Sequence, residues 1–107
     1  NKKYFFLYYL HGKFLQKKDE MNYAIDSYKK SINLNNNYIE AYIDLLSLLE
    51  QINKLEEFKI YLDIASVNFN NDYKIKFFES LYFNRVKEFE QSQKLIIKYA
   101  LKEDMKS

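Results

Sequence analysis

A spacing of 34 residues constrains this chain more than any other feature of it. Gly12 and Ala24 lie twelve residues apart, and 34 residues further on the same two places hold Leu46 and Phe58, then Ser80 and Ser92. Tyr8 recurs as Tyr42, Leu15 as Leu49 and then Phe83, and Tyr28 as Leu62 and then Ile96, apolar each time. The breaks follow the same rhythm: NLNNN at 33–37 answers NFNND at 68–72, both rich in the side chains that cap helices and close turns. Periods of this length belong to stacked repeats, in which each unit buries its apolar face only against its neighbours.

Within a unit the spacing is helical. Tyr38, Tyr42, Leu45, Leu46 and Leu49 share one face at steps of three and four, and so do Leu55, Phe58, Leu62, Ala65 and Phe69. One glycine and no proline in 107 residues leave little else to punctuate the chain, so the class is all-α. The pattern predicts helices over 4–17, 21–33, 37–51, 55–68, 72–85 and 88–102. The links KDE, INK and RVKE permit only antiparallel hairpins. Three units follow, about 4–36, 37–70 and 71–104, within a single domain over 1–107. Asn71 or Asp72 is placed to cap the fifth helix, and Asp26 with Lys30 and Glu90 with Lys94 are acid-before-base pairs four residues apart.

Most catalytic chemistry lacks its parts. His11 is the one histidine and cysteine is absent, so neither a histidine-pair metal site nor a nucleophile dyad or triad can be assembled in the usual ways. A single glycine excludes Gly-rich phosphate loops. Carboxylates pair at Asp19 and Glu20, Glu56 and Glu57, Glu88 and Glu90, and Glu103 and Asp104, but each pair falls at a predicted turn or helix end, where solvated acids are ordinary. No enzyme, cofactor or metal is expected. The net charge of +2 is spread along the chain, without the basic stripe that a phosphate backbone requires. The run Tyr4 to Leu10 has seven residues, three of them tyrosine, which is far too short to span a membrane and carries no cleavage site of a signal peptide. The expected setting is intracellular, in the cytoplasm. The start on asparagine in mid-pattern gives the expectation of a section of a longer polypeptide.

A 34-residue helical hairpin with Tyr8, Gly12, Leu15, Ala24 and Tyr28 in these places resembles the tetratricopeptide repeat. The second unit keeps Tyr42, Leu45, Leu49 and Ala65, and the third is degenerate, with Lys76 and Glu79 at unsuitable places. His11 stands where the family prefers leucine and Asn36 where it prefers proline. The resemblance implies a right-handed superhelical stack of three antiparallel hairpins, about six helices. The small residues at Gly12 and Ala24 would let their helices approach closely, and Leu46 with Phe58 would splay the middle hairpin wider than its neighbours.

The resemblance also implies where function lies. In such solenoids the first helices of successive hairpins line a concave groove that takes a peptide or helical segment of another protein. Carried onto this chain, the groove residues are Tyr9 and Lys13 in the first unit, Glu40, Asp44 and Ser47 in the second, and Lys74, Phe78, Leu81 and Arg85 in the third. Phe6, Leu10, Lys17, Ile43, Glu50 and Phe77 complete that surface, with packing between hairpins as the alternative for Phe6 and Phe77. The implied ligand is an apolar or mixed-charge segment of protein. The acidic tails of chaperones are disfavoured, because only Lys74 matches the carboxylate clamp that the family uses for them and Asp44 opposes a carboxylate. Two other readings stay open. One is a purely structural section of a larger solenoid, or self-association through an uncapped last hairpin with Leu95 and Tyr99 on its outer side. The other is a related repeat that reads RNA, which would need the same polar side chains in each unit and does not find them here.

Overall fold

The computed structural model describes residues 2–106, which form helices joined by short links. A 3-10 turn, Lys2–Tyr4, leads into α1 (Phe5–Lys17), α2 (Met21–Leu34), α3 (Ile39–Gln51), α4 (Leu55–Asn68) and α5 (Tyr73–Lys106). No strand occurs among the described residues, and the all-α class holds. Each helix packs on the next: α1 on α2, α2 on α3, α3 on α4, and α4 on the first part of α5.

The links inside the first two hairpins are built alike. Asp19 and Asn53 take the left-handed conformation, with φ of 63° and 62°. After α1 the amide of Asp19 donates to the carbonyl of Gln16 and that of Glu20 to Leu15; after α3 the amide of Asn53 donates to Glu50 and that of Lys54 to Leu49. These crossed bonds are the Schellman motif, which satisfies the last carbonyls of a helix and reverses the chain. Asp and Asn are the residues other than glycine that enter the left-handed region most readily. They stand 34 residues apart.

The third link is missing. The helices expected over 72–85 and 88–102 are one helix, α5, of 34 residues, about 50 Å long at a rise of 1.5 Å per residue. The place answering to Asp19 and Asn53 holds Lys87, for which the left-handed turn costs about 1–2 kcal/mol. Arg85, Val86, Lys87 and Glu88 also include good helix formers, and an unbroken helix keeps backbone bonds that a turn would give up. The long axis of the molecule, 65 Å against 33 and 18 Å, reflects this projecting helix.

Packing follows the period as far as α5. Gly12, Leu15, Ala24, Tyr28 and Ser31 are buried, and so are Leu46, Leu49, Phe58, Leu62 and Ala65, their counterparts one unit on. The centre is α3, whose Ala41, Tyr42, Leu45, Leu46, Leu48 and Leu49 are fully enclosed. Burying each of its leucines contributes about 1.5–3 kcal/mol. The backbones of α1 and α2 approach along much more of their length than those of α3 and α4, the direction set by glycine and alanine against leucine and phenylalanine at the contact. The third hairpin offers no comparison, because α5 does not turn.

Smaller expectations divide. Asp72 caps α5, its Oδ1 accepting the amide of Lys74 at 2.8 Å. Lys30 lies over the ring of Tyr8 rather than beside Asp26. The link at Asn36, where the family prefers proline, is held instead by its carbonyl, which accepts from the Tyr42 hydroxyl and from Asn68 Nδ2, each at 3.2 Å. No helix among the described residues is long and apolar enough to cross a membrane.

Candidate partner-binding face

The first helices of the units, α1, α3 and the Tyr73–Arg85 part of α5, are tied to one another by side chains that reach across. Asp44 on α3 is the joint with α1: its Oδ2 accepts the Tyr9 hydroxyl at 2.5 Å and lies 3.3 Å from Lys13 Nζ. Lys13 also sits 5.5 Å from the centre of the Tyr9 ring, a cation–π contact. Glu50, two turns further along α3, takes the guanidinium of Arg85 on α5. Asp44 and Glu50 are therefore neutralised from within the fold.

The expected site residues separate into three groups. Tyr9, Lys13 and Asp44 form one network, and Arg85 forms another with Glu50. Lys74 and Phe78 come together with Ile43, Tyr73 and Phe77 around a shallow pocket. Glu40, in the first turn of α3, and Ser47 are exposed and separate from these clusters, while Leu81 is half-buried against the core.

Aromatic exposure is the reverse of what the groove needs from Tyr9 and Phe78. They are 8% and 5% exposed and belong to the core, whereas Phe6 and Phe77 are 43% and 61% exposed. Tyr9 is enclosed by Tyr38, whose ring meets it edge-on at 5.2 Å, and by Tyr28 at 6.0 Å. Phe78 turns toward Phe58, edge to face at 6.0 Å, because phenylalanine on α4 reaches further than the alanine of α2 in the same place. The face therefore presents Phe6, Leu10 and Phe77. Its two ends are shaped by Tyr38, which the sequence placed only on a packing face, and by Tyr73, which sequence reasoning passed over.

Burial raises the phenol pKa of Tyr9 well above the ordinary value, assisted by its hydrogen bond to Asp44 and by that residue's charge. Tyr28 is raised in the same way, by burial first and Asp44 second, and its hydroxyl donates to Gln16 Oε1 at 2.7 Å. Both stay neutral donors rather than acids or bases. Among the described residues no group of three or more histidine, cysteine, aspartate or glutamate side chains could hold a metal. The arrangement brings exposed apolar side chains and two internally paired acids onto the first helices of the units.

A second surface lies at the end of the stack. Leu7, Tyr8, His11 and Phe14 on α1 occupy the places of Ala41, Tyr42, Leu45 and Leu48 on α3. The α3 set is wholly enclosed, whereas Leu7 and Phe14 are open to solvent. The repeat register was the signal that could have found it.

Compared with known proteins, residues 1–102 match the family described as anaphase promoting complex subunit 8 / Cdc23. No curated protein and no solved structure matches the chain.

Proposed function

The chain belongs to the anaphase promoting complex subunit 8 / Cdc23 family, and we propose on that footing that it is a non-catalytic scaffold within an intracellular multi-subunit assembly. Its work is to hold a segment of a neighbouring protein along the face made by α1, α3 and the start of α5. The observation that carries this reading is the set of open apolar side chains Phe6, Leu10 and Phe77, on helices that the pairs Lys13–Asp44 and Arg85–Glu50 join to one another. Exposed aromatics in a charged surround are the raw material of binding hot spots. With Asp44 and Glu50 engaged inside the fold, the segment it suits is predominantly apolar. The test is assembly in source-organism extract with Phe6→Ala, Leu10→Ala and Phe77→Ala combined. Loss of a specific neighbour with unchanged helicity supports the reading; an unchanged set of neighbours overturns it.

A second reading has its own support. The open end of α1, with Leu7 and Phe14 where α3 is enclosed, suits the second helix of another helical hairpin. Under that reading the unit is a structural section of a larger stack, and Leu7→Asp with Phe14→Asp disrupts the assembly while the groove variant does not.

A further inference from the structure

The straightness of α5 conflicts with the repeat that builds the rest of the molecule. Leu15 and Leu49, Tyr28 and Leu62, and Ser31 and Ala65 are core residues because their chains turn back at Asp19 and Asn53. One unit further on, the same places hold Phe83, Ile96 and Tyr99, and these are 68%, 67% and 60% exposed. Ser80 and Ser92 repeat the small pair Gly12 and Ala24. On a continuous helix they lie about 18 Å apart along the axis and cannot meet. Apolar side chains placed for an antiparallel contact have thus been carried apart by a single missing turn.

The surroundings leave room for that turn. A cleft of about 750 Å³ lies between the link before α4 and its first turn, Asn53 to Glu57, and the stretch of α5 from Arg85 to Ser92. Arg85 is anchored to Glu50, so the first half of the helix is fixed up to the point where the turn would fall. Every residue of 87–102 is exposed, and no neighbouring helix holds that half in line.

We infer that α5 is a hinged element that breaks at Val86 to Glu88 and folds 88–102 back along Tyr73–Arg85, burying Phe83, Ile96 and Tyr99 against one another. The straight form is kept by continuous backbone bonds and by the steric resistance of Lys87 to positive φ. The folded form is favoured by apolar burial. A partner that binds one form more tightly moves the balance by the ratio of its two affinities, so the hinge couples a surface at this end of the molecule to the completion of the stack.

The chain has no cysteine, so Lys74→Cys with Lys98→Cys gives two sites for nitroxide labels and distance measurement by pulsed electron resonance. The straight helix separates these positions by about 36 Å, and the folded form brings the helix axes to about 10 Å. Lys87→Asn, which restores the residue type found at Asn53, is expected to raise the ratio of short to long distances about tenfold, the scale of the strain that it removes. Adding Ile96→Glu is expected to abolish the short distance. Only long distances with Lys87→Asn would overturn the inference, as would a short distance that survives Ile96→Glu. A short distance that disappears on dilution with unlabelled chain would assign the contact to a second copy and would equally overturn it.

Discussion

The ring of Tyr28 lies close against Gly12: a β-carbon at position 12 would fall 2.6 Å from Cε1 and 2.7 Å from Cδ1 of that ring. This contact sets the separation of α1 and α2. Tyr28 is fully enclosed and its hydroxyl is held by Gln16, so the ring has no room to retreat.

Gly12→Ala is therefore expected to destabilise the fold by about 1–3 kcal/mol, the usual cost of overpacking. This runs against the roughly 1 kcal/mol that alanine gains over glycine inside a helix, so an increase in stability would refute the close-approach account. Urea unfolding followed by circular dichroism measures it.

The junction at Asp44 gives a second expectation. Asp44→Ala leaves the partly buried hydroxyl of Tyr9 without its acceptor, which costs about 1–3 kcal/mol. Tyr9→Phe on top of Asp44→Ala should cost little more, and the coupling is read from the four unfolding midpoints. Alkaline behaviour follows the same geometry. Burial and Asp44 raise the Tyr9 phenol above its unfolded value, so this contribution to stability is complete below about pH 10 and is lost as pH rises beyond it. Spectrophotometric titration of the tyrosines should show ionisation of Tyr9 and Tyr28 only with unfolding.

A third expectation concerns acid. Lys29 Nζ meets Glu57 Oε2 at 2.6 Å, joining α2 to α4. The hydrogen bond from Lys29 holds the Glu57 carboxyl below its ordinary range, outweighing the opposing effect of burial. A depressed folded pKa contributes stability above the unfolded value, near 4.3, and loses it as pH falls through the folded one. Glu57→Gln should cost no more than about 1 kcal/mol at neutral pH, since the pair is partly solvated. That difference from the unmodified chain should vanish in strong acid.

The split between buried and open aromatics supplies a fourth. Phe78→Ala removes a core ring and should destabilise by about 3–5 kcal/mol, whereas Phe77→Ala, one residue earlier and largely exposed, should stay within about 0.5 kcal/mol. Thermal unfolding of the two variants distinguishes them directly.

How far the sequence carries can be judged from these same residues. The 34-residue spacing located α1 to α4 to within two residues at each end, because burial and turn chemistry repeat together in those helices. It misled at α5. Phe83, Ile96 and Tyr99 keep the apolar pattern, but Lys87 does not keep the turn residue, and local backbone cost prevailed over periodicity. Apolar spacing alone carries no information on that cost; comparing Asp19, Asn53 and Lys87 does. For the expected site residues, the helix that carries each was legible while its depth was not. Whether Tyr9 or Phe6, and Phe78 or Phe77, points inward depends on the reach of the residues behind them, Tyr38 and Phe58, and no one-dimensional spacing encodes that reach.

The central claim is that the face of α1, α3 and the start of α5 holds a neighbouring protein. Its most direct test places a photoreactive benzoylphenylalanine at Leu10, at Phe77 and, on the outer side of α4, at Ile64, in the chain expressed in its source cells. The account predicts that Leu10 and Phe77 cross-link to the same partner polypeptide and that Ile64 does not. Cross-links from Ile64 alone, or from none of the three while the chain remains in its assembly, would contradict it.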